Sequence, residues 1–115
     1  MKVLLAIALL AAPALADPPA IDAVRATQTA QGWRFDVTLS HPDTGWEHYA
    51  DGWRVLDAEG REIGRRDLLH PHVDEQPFTR SLSGVPVPDG AGQVRIEARC
   101  SVDGWAGATV AVPLP

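Results

Sequence analysis

Gly32-Trp33-Arg34-Phe35-Asp36-Val37-Thr38-Leu39-Ser40 decides the fold class of this 115-residue chain. Trp33, Phe35, Val37 and Leu39 alternate with Arg34, Asp36 and Thr38. Successive side chains on a strand point to opposite faces, so this period of two predicts a strand with one face in a core and the other in water.

The same signals recur outward from that stretch. Strands are expected at about Ala20 to Thr27 before it, and at about Trp53 to Leu56, Glu62 to Arg66, Phe78 to Leu82, Gln93 to Val102 and Ala106 to Val112 after it. Asp57-Ala58-Glu59-Gly60 reads as a turn, and Pro86-Val87-Pro88-Asp89-Gly90 breaks the chain again. No segment carries a helical period of useful length. About seven short strands predict an all-β protein, an immunoglobulin-like antiparallel β-sandwich.

Residues 1–16 are set apart by a different logic. Lys2 supplies a positive start, Val3 to Leu10 an apolar run, and Ala14-Leu15-Ala16 a small-x-small cleavage pattern, which together predict a secretory signal peptide. The run is too short to span a bilayer, and no second apolar run of sufficient length follows. Residues 17–115 are therefore expected to form one exported domain, periplasmic or secreted, without membrane insertion after cleavage. No cysteine falls near the cleavage pattern, so no lipid anchor is expected.

The formal net charge is −5, and Lys2, the one lysine, lies in the leader. An acidic chain without basic clusters does not suit nucleic acid or anionic membrane surfaces. Cys100 is the single cysteine, so no internal disulfide can form and the domain must stand on its core or on a metal. Val94, Ile96, Ala98, Cys100 and Val102 share one strand face, which places Cys100 on the core side. It reads either as a small buried hydrophobe or as an inward-pointing thiolate ligand whose deprotonation a cation would drive.

All four histidines, His41, His48, His70 and His72, lie between residues 41 and 72. Strands that alternate in direction put the segments after the second, fourth and sixth strands at one end of the domain. That pole receives every histidine, together with Asp43, Trp46, Glu47, Asp74, Glu75, Asp103 and Trp105, and loops on a rigid sandwich are where binding residues concentrate. In His70-Pro71-His72 the proline holds its neighbour extended, so the two imidazoles tend to leave the chain on one side, a geometry suited to a transition metal. Imidazole and thiolate donors suit iron, copper or zinc. In the ordinary reading of the same pair, one ring packs under Trp46 or Trp53 and the other is solvated.

His41-Pro42, then Glu47-His48-Tyr49 with Trp53 beyond, then Cys100 ahead of Asp103-Gly104-Trp105, resembles the superoxide reductase (desulfoferrodoxin or neelaredoxin) pattern over residues 40–105. The resemblance implies an immunoglobulin-like domain holding a mononuclear iron through four histidines and an axial cysteine, and reducing superoxide to hydrogen peroxide. By position it carries over His41, His48 and Cys100 as ligands. Asp103 stands where the pattern has a ligand histidine, the interval from His41 to His48 is one residue longer, and no histidine precedes His41. Four histidines and a cysteine are recovered only by adding His70 and His72, which lie outside the motif.

Other chemistry is not signalled. There is no Gly-x-Ser-x-Gly elbow, phosphate-binding glycine loop or Cys-x-x-Cys pair. Ser40 and His41 are strand neighbours that point apart, so they do not begin a triad. Asp74-Glu75 reads either as a carboxylate pair or calcium ligands or, as adjacent acids on a loop most often are, as a solvated surface. The expectation is an exported binding module, more a binder than an enzyme, holding a transition metal at its loop end. The alternatives are a domain that meets an extracytoplasmic protein or glycan through Trp46, Glu47, Asp103 and Trp105, and a divergent superoxide reductase.

Overall fold

The structure, a computed structural model, describes residues 18–115; the leader expected over residues 1–16 lies outside the described residues. Eight strands follow one another: β1 Ala20–Thr29, β2 Gly32–Ser40, β3 Ala50–Leu56, β4 Glu62–Asp67, β5 Phe78–Val85, β6 Gln93–Cys100, β7 Gly104–Trp105 and β8 Val110–Pro113. They form two antiparallel sheets, one ordered β1-β2-β5 and one ordered β4-β3-β6-β7, with β8 also paired to β6. The chain is thus the all-β sandwich that its alternation predicts.

The apolar face of β2 fills the centre: Phe35, Val37 and Leu39 are fully buried and Trp33 nearly so. Trp53 and Val55 of β3 and Val94, Ile96 and Ala98 of β6 meet them from the second sheet. Burying each such large side chain is worth about 1.5–3 kcal/mol, and these residues carry the fold without a disulfide. β4 approaches β5 closely because Gly64 has no side chain; a Cβ there would lie 2.9 Å from Leu82 Cδ2.

The last expected strand, Ala106 to Val112, is corrected. β6 stops at Cys100, turns tightly so that Cys100 faces Gly104 and Arg99 faces Trp105, and the chain then leaves the sheet before β8. Gly104 and Gly107 both have positive φ, at 75° and 82°, which favours glycine and interrupts a continuous strand. The Gly107 N–H is drawn off to Glu97 Oε2 at 2.9 Å.

Pairing fixes which loops share an end. Leu39 lies opposite Phe78, Gly52 opposite Asp67, and Ala50 opposite Cys100. Segments 41–49, 68–77 and 101–103 therefore converge on one pole, as alternating strand direction predicts, and two of them are crossings between the sheets.

Candidate metal centre

The pole is built around the segment between β2 and β3. His41 continues directly from β2 and is kept extended by Pro42. The segment then closes on itself: Thr44 N donates to His48 O at 3.0 Å and His48 N to Gly45 O at 3.2 Å. Gly45 has a φ of 138°, and any Cβ there would meet the Glu47 carboxylate. Tyr49 and Ser101 then tie this segment to the end of β6, with Tyr49 N donating to Ser101 Oγ and Ser101 N to Tyr49 O.

These ties bring His41, His48 and Cys100 together, with one ligand atom from each lying within 4.8 Å of the others. His41 and Cys100 are buried and His48 is half-buried. The two imidazoles meet edge to face, with centroids 4.7 Å apart. His41 Nε2 and His48 Nε2 are both buried, and neither has a hydrogen-bond partner. Cys100 Sγ accepts the Asp103 N–H at 3.4 Å, and its thiol lies 3.8 Å from Asp103 Oδ2. Around a tetrahedral zinc, nitrogen and sulfur donors stand about 3.3–3.6 Å apart, so closing this group on a cation takes a movement on the order of 1 Å.

The donor set fits a transition metal. Two imidazoles and a thiolate are borderline-to-soft ligands, suited to iron, copper or zinc and poorly suited to calcium or magnesium. An unpartnered buried nitrogen costs about 1–3 kcal/mol, a cost that ligation of a cation through it would relieve.

Asp43 lies behind His41, and its side chain is fully buried. Oδ1 lies 2.5 Å from His41 Nδ1 and accepts the Ala50 N–H at 2.9 Å, and Oδ2 accepts the His72 N–H at 2.8 Å. Sequence reading places Asp43 at the pole only as one acid among several. The signal for its role is its position two residues after His41 in a segment that closes on itself, which aims the carboxylate inward.

His70 and His72 stand apart from the group. Their rings do lie side by side, with centroids 4.6 Å apart, as the intervening proline predicts. The His72 ring is stacked flat on Phe78 at 3.9 Å, and Arg80 donates to its Nε2 at 2.9 Å. Its Nδ1 is buried without a partner. Burial first, then the charges of Arg80 and His70, hold the His72 pKa below the ordinary histidine value. His70 is exposed. The packed-and-solvated reading of the pair describes this arrangement, with Phe78 in place of a tryptophan.

The expected binding surface divides. Trp46, 68% exposed, stands at the pole with its ring edge-to-face on Tyr49 at 5.6 Å, and Glu47 and Asp103 are exposed beside the same loops. Trp105 lies in β7 of the five-stranded sheet, where the tight turn after Cys100 pairs it with Arg99. The Arg54 guanidinium sits 3.9 Å from the Trp105 ring centroid, with Arg99 and Arg65 at 5.2 and 5.5 Å. The half-buried Trp105 ring thus packs against arginine side chains.

Among known proteins, no family model and no solved structure matches the chain. A relative from Halomicrobium mukohataei, described as "Putative lipoprotein", is 41% identical over 78 residues, which is 68% of this chain and 38% of the relative. The chain spans less than two fifths of that relative's length. Among the described residues, no helix is long and apolar enough to cross a membrane.

Proposed function

We propose that this protein is an exported β-sandwich binding domain that holds a transition metal ion through His41, His48 and Cys100. The observation that carries this reading is that His41, His48 and Cys100 each bring a ligand atom within 4.8 Å of the others, while His41 Nε2 and His48 Nε2 are buried and unpartnered. The leader pattern of residues 1–16 and the description of a relative as a lipoprotein support an exported, cell-envelope setting. The test is elemental analysis with a visible spectrum on protein purified without tag or chelator. About one equivalent of iron, copper or zinc is expected, with any thiolate-to-metal band lost in Cys100→Ser. Protein that holds no metal, and takes none up under reducing conditions, refutes the reading and leaves a domain that recognises a protein or glycan through the Trp46 pole.

A second reading, a divergent superoxide reductase, is favoured by one specific observation. The three residues that the family pattern carries over by position are the three that meet in space. Iron held there would supply one-electron reduction of superoxide. Asp103, in the place of a ligand histidine, offers a carboxylate 3.8 Å from the sulfur. Stopped-flow mixing of reduced, iron-loaded protein with superoxide tests it: iron oxidation matched by hydrogen peroxide formation is expected, and iron that oxidises no faster than in Cys100→Ser refutes it.

A further inference from the structure

We propose that Asp43 is the positioning residue of this site, holding His41 in the one tautomer that leaves its inward nitrogen free for a cation and tying the 68–77 segment to the same anchor. This rests on the metal reading above and adds the group that sets ligand orientation.

The chemistry follows from what a carboxylate can accept. Asp43 Oδ1 and Oδ2 already receive the backbone N–H groups of Ala50 and His72, at 2.9 and 2.8 Å. An ionised carboxylate has no hydrogen to give, so His41 Nδ1, 2.5 Å from Oδ1, must be the donor. In a neutral imidazole with hydrogen on Nδ1, the lone pair is on Nε2, and His41 Nε2 is the buried atom without a partner. A ring held by a carboxylate through one nitrogen and open at the other is the arrangement that orients histidine ligands and raises their basicity.

The three bonds on Asp43 come from three parts of the fold. His41 follows β2 in the first sheet, Ala50 opens β3 in the second, and His72 belongs to the segment between β4 and β5. Ala50 is also the residue opposite Cys100, so the carboxylate that aims the imidazole fixes the strand facing the sulfur. His72 contributes its backbone here and keeps its ring on Phe78. It is thus attached to the site without belonging to the ligand group.

Asp43→Asn separates orientation from packing, because it keeps the shape and removes the charge. With its oxygen toward His72, the amide sets an N–H against the Ala50 N–H and presents another to His41 Nδ1, which drives that ring to the Nε2–H form and leaves no lone pair on Nε2. With its oxygen toward His41, it sets an N–H against the His72 N–H. Two measurements test the proposal. Long-range proton–nitrogen NMR on the metal-free wild type at neutral pH should find the His41 hydrogen on Nδ1, and finding it on Nε2 would overturn the proposal without any variant. Titration with Co²⁺ should show affinity falling about 10- to 100-fold in Asp43→Asn. The thiolate-to-cobalt band of Cys100 should be retained at saturation, which an unfolded site would not give. Equal Co²⁺ affinity in wild type and variant overturns the role of Asp43 alone, whereas wild type that binds no Co²⁺ overturns the metal reading beneath it.

Discussion

His48→Ala discriminates between ligand and packing residue because the structure separates the two costs. His41 is unsuitable for this purpose, since its removal strips a buried carboxylate of a partner whether or not metal is present. His48 is half-buried, and its Nε2 is buried and unpartnered. In the metal-free protein, truncation loses about 2 kcal/mol of packing but also removes a polar atom that costs about 1–3 kcal/mol to leave unsatisfied, so the net change should stay within about 1 kcal/mol. In the loaded protein the balance differs. A cation held at a hundred times its dissociation constant stabilises the fold by about 2.7 kcal/mol, and a hundredfold loss of affinity leaves only about 0.4 kcal/mol at the same free concentration. For a domain of roughly 100 residues, the full effect is an increase of about 10–20 °C in melting temperature. The assay is calorimetric unfolding of wild type and variant in a zinc buffer of fixed free Zn²⁺ and again with chelator. The Zn²⁺-dependent increment should nearly vanish in His48→Ala while the chelated proteins melt within about 5 °C of one another. Equal losses in both buffers would refute the ligand role and make His48 a packing residue.

Three further outcomes follow from geometry already described. His72 has a folded pKa below its ordinary value of 6.5, chiefly because burial penalises the charged ring. Its contribution to stability is therefore fully present above pH 6.5 and declines as pH falls toward the folded value, because the unfolded chain takes up the proton first. His72→Phe, which preserves an aromatic on Phe78, should flatten the loss of unfolding free energy between about pH 7 and pH 5, and an unchanged pH slope in urea titrations would count against it. Gly64→Ala should destabilise by about 1–2 kcal/mol, since its Cβ meets Leu82 Cδ2 at 2.9 Å and Val85 Cγ2 at 3.2 Å. Adding Leu82→Ala should show strong non-additivity in a double-mutant cycle, and additive costs would place the strain elsewhere. Glu97→Gln weakens an anchor that accepts from Arg54 at 2.6 and 2.9 Å and from Gly107 N at 2.9 Å. Because Arg54 retains some solvent access, the expected cost is about 1–2 kcal/mol in chemical unfolding, and a change below about 0.5 kcal/mol would show the pair to be screened.

The strands of the centre were legible because their chemistry is periodic. β2 is read to the residue from Gly32 to Ser40, since its alternation coincides with its burial. β3 begins at Ala50, earlier than the expected Trp53. Asp51 and Gly52 look like turn residues in sequence, but Asp51 is held by Arg99 at 2.9 Å and Gly52 allows the Arg99 side chain to pass close by. The pairing of Trp105 with Arg99 is hidden for a similar reason: nothing local reveals that the chain returns to β6 straight after a tight turn. At the site, the meeting of His41, His48 and Cys100 was legible in part from motif order and strand direction. The separate fate of His72 was not, because it is decided by Phe78 and Arg80, which approach it only in the folded chain.

The division of labour between core and pole bears on how such a domain can change over generations. The hydrophobic cluster from Trp33 to Val112 includes none of His41, His48 or Cys100. If the pole holds a cation as proposed, a lineage that exchanged the half-buried His48 would lose it and leave the hydrophobic cluster untouched. The freed pole, with Trp46 already turned to solvent, would then be raw material for recognising something else. Descendants of one scaffold can in this way diverge into metal holders and metal-free binders without passing through an unstable ancestor.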